Sequence, residues 1–364
     1  MDLKNKNLAL NMIFSFAIFI GVILFPIGLF LEVYQAVVNG VRDGGLTTVQ
    51  MFKNVVFLLE NIDAMGDLSV SSYLVYYIFV FAFFACGITA LIHAIFLIVL
   101  TIQGLVKPVD TVKINKHLVQ FSIALLTYVC LLLGAYYIYY KDLGYQTIGA
   151  GPIILIIDSA VCFVVAAILH LGSNSPRAPI NKVFDVCTSA IAYVAAVMLF
   201  LGPVMLSGEA QYGLIRWFPT MIDILINSGS SSSAAKYMIA LEFSMFAVAL
   251  LAVASSFIFN VIGNGFALNI NRRRFGPAPS ANPDYAKSSI VKSSLWLGFV
   301  LLGSIVMLIT LKNVYESLEI TLSPTLIICI VLAVISLGLS IANKVLQDKN
   351  KPTPELKETS EQQA

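Results

Sequence analysis

Residues 72–106, SYLVYYIFVFAFFACGITALIHAIFLIVLTIQGLV, run for 35 positions without an Asp, Glu, Lys or Arg. As a helix rising 1.5 Å per residue, the stretch would be about 52 Å long, well beyond a hydrocarbon core of about 30 Å. A second run, 237–271, carries one carboxylate, Glu242, and is otherwise of the same character. Two apolar runs of this length argue for lipid as the solvent of the chain rather than for a large water-soluble core.

Composition agrees. The chain is 59% hydrophobic and 12% charged, where a soluble domain is about 25% charged. A net charge of +2 supplies no field that would draw nucleic acid. Cys86, Cys130, Cys162, Cys187 and Cys329 all lie within apolar runs, so no disulfide framework is expected and they read as small apolar filler. Lys4 and Lys6 precede the first apolar run as in a signal peptide. That run is too long for an h-region and lacks a small-residue cleavage site, so it reads as a retained first helix.

Eight spans are predicted, over 9–36, 72–106, 118–140, 148–171, 183–206, 236–270, 290–311 and 322–346. With the N-terminus inside, 16 of the 22 Lys and Arg residues fall in inner segments, as the positive-inside bias requires. Asp43, Glu60, Asp63, Asp67, Asp142, Glu209, Asp223, Glu316 and Glu319 then fall outside. Both termini are therefore expected in the cytoplasm, with the protein integral to the plasma membrane. Tyr76, Tyr77, Tyr136, Tyr137, Tyr139 and Tyr140 sit where an outer aromatic belt would lie.

The two halves repeat one order: span, outer loop with a short apolar segment, long span, basic loop, span, short loop, span. Pro26 and Pro203, Tyr73 and Tyr237, and Pro152 and Pro324 occupy matching places. Four spans per half would make this a parallel repeat. The fold class expected is an all-α polytopic membrane protein of about eight helices in two four-helix repeats. The first repeat covers 1–172, with outer loop 37–71; the second covers 183–347, with outer loop 207–235; a disordered tail covers 348–364. Each outer loop carries an amphipathic helix too short to span, at 49–62 and 212–227.

Polar side chains inside a bilayer are functional candidates by default. The candidates among the ionisable residues within spans are His93, Asp158 and Glu242. Asp158, in the outer half of the fourth span, suits proton or cation handling. Ser256, Asn260 and Asn264 recur at i, i+4 and i+8, which puts them on one helix face. The first long run instead has Ala82, Cys86, Ala90 and Ala94 at that spacing, a row that permits close helix packing. The histidines His93, His117 and His170 have no metal-ligand spacing. No nucleophile elbow, zinc-protease or phosphate-loop motif occurs, so neither an enzyme nor a cofactor is expected.

In span order each half resembles four-span units such as claudins and connexins. Those families staple their outer loops with cysteines, which these loops lack, so none of their function carries over. The expected role is a permease or channel-like protein for a small solute or ion, with its pathway between the repeats. The alternative is a non-catalytic scaffold or assembly subunit binding a protein, a lipid or a second copy of the chain.

Overall fold

A computed structural model describes residues 3–38, 41–60, 82–106, 111–135, 145–172, 178–201, 203–207, 210–213, 285–314 and 320–349. In chain order the helices are α1 (Leu3–Phe30), α2 (Thr48–Glu60), α3 (Ile88–Val106, entered through a π-helical turn at Ala82–Gly87), α4 (Thr111–Ala135), α5 (Ala150–Leu171), α6 (Pro179–Leu201), α7 (Tyr285–Val314) and α8 (Pro324–Lys349). The strands are β1 (Glu32–Val38), β2 (Val41–Thr47), β3 (Tyr145–Ile148), β4 (Pro203–Ser207), β5 (Ala210–Gly213) and β6 (Ile320–Leu322). The fold is mostly helical. Five described segments are long and apolar enough to cross a membrane: Ala85–Gly104, Lys113–Leu133, Ala150–Leu171, Ser289–Val306 and Pro324–Lys349.

Burial runs opposite to that of a water-soluble protein. Asp158, Ser122, Ser189, Ser293 and Ser336 are fully buried, while Ile92, Ile95, Phe96, Val99 and Ile102 line an exposed face of α3. Phe16, Phe19, Ile20, Ile23 and Ile27 do the same on α1, as do Ile327, Val331, Val334, Ile335 and Ile341 on α8. Soluble monomers rarely expose contiguous apolar patches of this kind. Around a hydrocarbon core they meet no penalty, whereas the polar groups must find partners inside. The helical surface is that of a membrane protein.

The strands were not foreseen. Residues 32–38 and 203–207 each read as the tail of an apolar span, but both leave the helix and pair as strands. Pro203 accordingly opens β4, whereas Pro26 lies inside α1, so these two prolines are not structurally matched landmarks. The first sheet has the order β2-β1-β3 and the second β5-β4-β6, all antiparallel. In each, the central strand follows a long helix directly, forms a hairpin with the next strand, and pairs with a strand that leads into a later helix. Tyr34 lies opposite Ile148 in one, and Met205 opposite Leu322 in the other. In β2 a residue is inserted at Asp43, beside Gly44. Gly44 has φ +148°, a backbone conformation open to glycine and strained for other residues.

Local chemistry sets the helix starts. Thr47 and Gln50 cap α2 reciprocally: the Thr47 N–H donates to Gln50 Oε1 at 2.8 Å, and the Gln50 N–H donates to Thr47 Oγ1 at 3.2 Å. Ser323 Oγ accepts from the Leu326 N–H at 3.2 Å, and Pro324 begins α8, where its missing N–H costs nothing. The expected amphipathic helix at 49–62 corresponds to α2. Its expected counterpart at 212–227 falls outside the described residues apart from the end of β5, as do Tyr73, Tyr237 and residues 350–364 of the tail; Asp348 and Lys349, expected in that disordered tail, continue α8 instead.

Helix α5 packs on α1 and α4, and α8 packs on α6 and α7. Glycine decides how closely α5 meets α1. A Cβ at Gly151 would come within 2.9 Å of the Gly28 carbonyl oxygen, 3.0 Å of the Glu32 oxygen and 3.1 Å of the Leu31 oxygen. Those are backbone atoms and cannot swing aside. A Cβ at Gly298 in α7 or Gly338 in α8 would meet open space among the described residues. Gly151→Ala is therefore expected to lower the thermal midpoint in detergent, by about 1–3 kcal/mol of overpacking. Gly298→Ala is expected to leave it unchanged or slightly raised, since alanine is the better helix former by about 0.5–1 kcal/mol. Equal effects at the two positions would contradict the packing described.

Candidate functional site

Asp158 lies on the buried face of α5, fully shielded from solvent. It looks across at α1, where Gly21 leaves the room for it: a Cβ there would lie 3.2 Å from Asp158 Oδ1 and 2.9 Å from Cys162 Sγ. Cys162, one turn along α5, donates its thiol to Asp158 Oδ1 at 3.7 Å. The other carboxyl oxygen, Oδ2, has no hydrogen-bond partner among the described residues. A buried acceptor left unmet is costly, by about 1–3 kcal/mol or more. The oxygen is thus a vacant acceptor that a proton or a cation would satisfy.

His93 is half-buried on α3, and its contacts are elsewhere. Its Nδ1 lies 3.0 Å from Nδ1 of His117 on α4, and the His117 ring stacks on Phe96 with centroids 4.8 Å apart. The small-residue row of this helix behaves as its spacing predicts, with Cys86, Ala90 and Ala94 buried. Asp158 and His93 make separate contacts, one against α1 and one against α4. Glu242, Ser256, Asn260 and Asn264 lie outside the described residues.

The largest polar cluster was missed from sequence. His170 Nε2 in the last turn of α5 lies 3.2 Å from Asp185 Oδ2 near the start of α6, and both side chains are buried. Asn343 of α8 donates its amide to Asp185 Oδ1 at 3.3 Å. Asn181 of α6 donates in turn to the Asn343 side chain and to its backbone oxygen. The cluster joins α5 to α6 and α8 at the short turn between α5 and α6. The signal for it was present: Asn181, Asp185 and Ser189 recur at i, i+4 and i+8, the spacing that singled out Ser256, Asn260 and Asn264. Asn181 falls two residues before the predicted span 183–206, which cuts the row at its first member.

Serines join the remaining helix pairs. Ser122 of α4 and Ser159 of α5 each donate to the other's backbone oxygen at 2.9 Å. Between α7 and α8, Ser289 meets Ser340 at 3.0 Å, and Ser293 meets Ser336 and Ser340 at 3.2 and 3.1 Å. Small side chains with a hydroxyl allow close approach and supply an interhelical hydrogen bond where lipid cannot. Among the described residues no group of three or more His, Cys, Asp or Glu side chains converges.

No known protein family matches the chain, and neither a curated protein nor a solved structure matches it.

Removing one member of a buried charged cluster strands its partners, at a cost of about 3–5 kcal/mol. Asp185→Ala, which strips His170 and Asn343 of their acceptor, is expected to lower the thermal midpoint strongly. Lys344→Ala breaks only the exposed i,i+4 pair to Asp348, 2.8 Å long, and is expected to cost no more than about 0.5 kcal/mol. Thermal unfolding of the two variants in one detergent checks the contrast; a mild effect of Asp185→Ala would show that the cluster is not a structural anchor.

Proposed function

We propose that the protein is a permease or channel-like protein for a small solute or ion, built as two parallel four-helix repeats with its pathway between them. The observation that carries the reading is Asp158, a fully buried carboxyl with one oxygen unpartnered among the described residues. Intramembrane carboxyls are functional candidates by default, and ion and proton routes are among the roles they mark.

The two sheets support the duplication. Both follow one connection rule, and α5 relates to α1 and α4 as α8 relates to α6 and α7. Strand pairing also supports the number of spans. β1 leaves α1 and pairs with β3, which leads into α5, so the chain between them crosses an even number of times; α3 and α4 supply two crossings. The turn from α5 to α6 returns the chain to the same face, where β4 begins. β6 pairs with β4 and follows α7 closely, so the reading needs an odd number of crossings between β5 and α7. The predicted span at 236–270 supplies that crossing, which makes eight. Both termini then lie on the face opposite the sheets, the cytoplasmic face of the plasma membrane on the positive-inside count.

A scaffold or assembly subunit is the second reading. It is favoured by the way the serines and the Asp185 cluster serve one another as partners and leave no wide polar opening among the described residues. Purified protein in liposomes holding a pH-sensitive dye, polarised by a potassium gradient, separates the two. The permease reading expects proton or coupled-ion flux that falls at least tenfold in Asp158→Asn. Wild-type liposomes as tight as empty ones would favour the scaffold, and unchanged flux in Asp158→Asn would remove Asp158 from the pathway.

A further inference from the structure

The contact between His93 and His117 is unusual in using the same atom on both rings. Nδ1 faces Nδ1 at 3.0 Å, with ring centroids 5.2 Å apart and planes at 48°. A hydrogen bond between them needs one Nδ1 to carry a proton and the other its lone pair. Two nitrogens that share one proton become two donors to a metal once that proton is carried instead on Nε2 of its own ring, leaving both rings neutral. Metal–imidazole bonds of about 2.0–2.1 Å in a tetrahedral arrangement hold two nitrogens about 3.3 Å apart. The pair would need to open by only a few tenths of an ångström. Phe96 stacks on His117 with centroids 4.8 Å apart and restrains that ring. Both histidines are half-buried. His117 lies six residues into α4, about 9 Å from its first residue.

We propose that His93 and His117 form an exchangeable site for a borderline divalent transition-metal cation of the Zn²⁺ and Ni²⁺ class, the ions that imidazole suits. No third His, Cys, Asp or Glu joins them among the described residues. Two coordination positions are left to water or to a mobile ligand. Closed four-ligand sites hold zinc structurally, and open ones exchange. Lys116 acts electrostatically on both rings and opposes a second positive charge, which keeps the site weaker than an isolated histidine pair would be. The site is distinct from Asp158 and does not rest on the transport reading.

The test is Zn²⁺ titration of tag-free protein in detergent by calorimetry, with Co²⁺ absorption as a spectroscopic check on imidazole coordination. One ion per chain is expected. Affinity should fall at least tenfold in His93→Ala and in His117→Ala, with little further loss in the double variant, because each half of a chelate is useless alone. His93→Gln and His117→Gln give the same comparison with a hydrogen-bonding side chain retained, should either alanine variant unfold. Lys116→Gln should tighten binding several-fold, and lowering the pH should release the ion as protons compete for the rings. Cys187→Ser, which removes the exposed thiol, should bind as wild type does. Absence of stoichiometric binding below millimolar Zn²⁺, or wild-type affinity in the folded His93 and His117 variants, would overturn the proposal.

Discussion

Backbone hydrogen bonds between strands that flank different helices constrain this protein more than any other interaction. β1 begins within two residues of the end of α1, and the Gly149 N–H at the start of α5 donates to the Val33 oxygen at 2.7 Å. These bonds hold the end of one helix against the beginning of another, although many residues separate them in sequence. In a bilayer such a tie fixes parity, because the chain between the two strands must leave the membrane face and return to it. The second sheet repeats the arrangement with β4 and β6. The helices are therefore not free to choose their direction.

Side chains between the helices meet the requirement that follows. Lipid offers polar groups no partners, and it offers apolar helices no hydrophobic reason to associate. Gly21, Gly28 and Gly151 let α1 and α5 approach until backbone and side chains touch. Serine pairs do the corresponding work between α4 and α5 and between α7 and α8. The cluster of His170, Asp185, Asn343 and Asn181 then ties α5 to α6 and α8. Of the buried polar atoms that lack a hydrogen-bond partner among the described residues, Asp158 Oδ2 is the one that belongs to a carboxyl group.

The helices were legible in sequence because length and apolarity alone determine them. The runs at 148–171 and 322–346 match α5 and α8 closely, and the helical periodicity of Met51, Val55, Leu58, Leu59 and Ile62 located α2. The strands were not legible. EVYQAVV and PVMLS are short, apolar and continuous with the spans before them, and only pairing with distant β3 and β6 makes them strands. Site geometry was legible in part. Asp158 could be recognised as an intramembrane carboxyl, but the room for it depends on Gly21 in another helix. His93 could be placed in a long apolar run, yet the stagger that puts it beside His117 has no local signature. Asp185 lies inside the predicted span 183–206 and Asn181 just before it, so the row they form crossed a drawn boundary.

Placing both sheets on one face of the membrane is the step on which the duplicated architecture stands. Cysteine accessibility in intact cells tests it directly, in a background lacking the five native cysteines. Thr147 on β3 and Thr321 on β6 are exposed, and cysteines there should both react with a membrane-impermeant maleimide added from outside. Cysteines at Lys287 in α7 and Lys349 at the end of α8 should react only after permeabilisation. Labelling of Thr147→Cys and Thr321→Cys from opposite sides would contradict the parallel repeat.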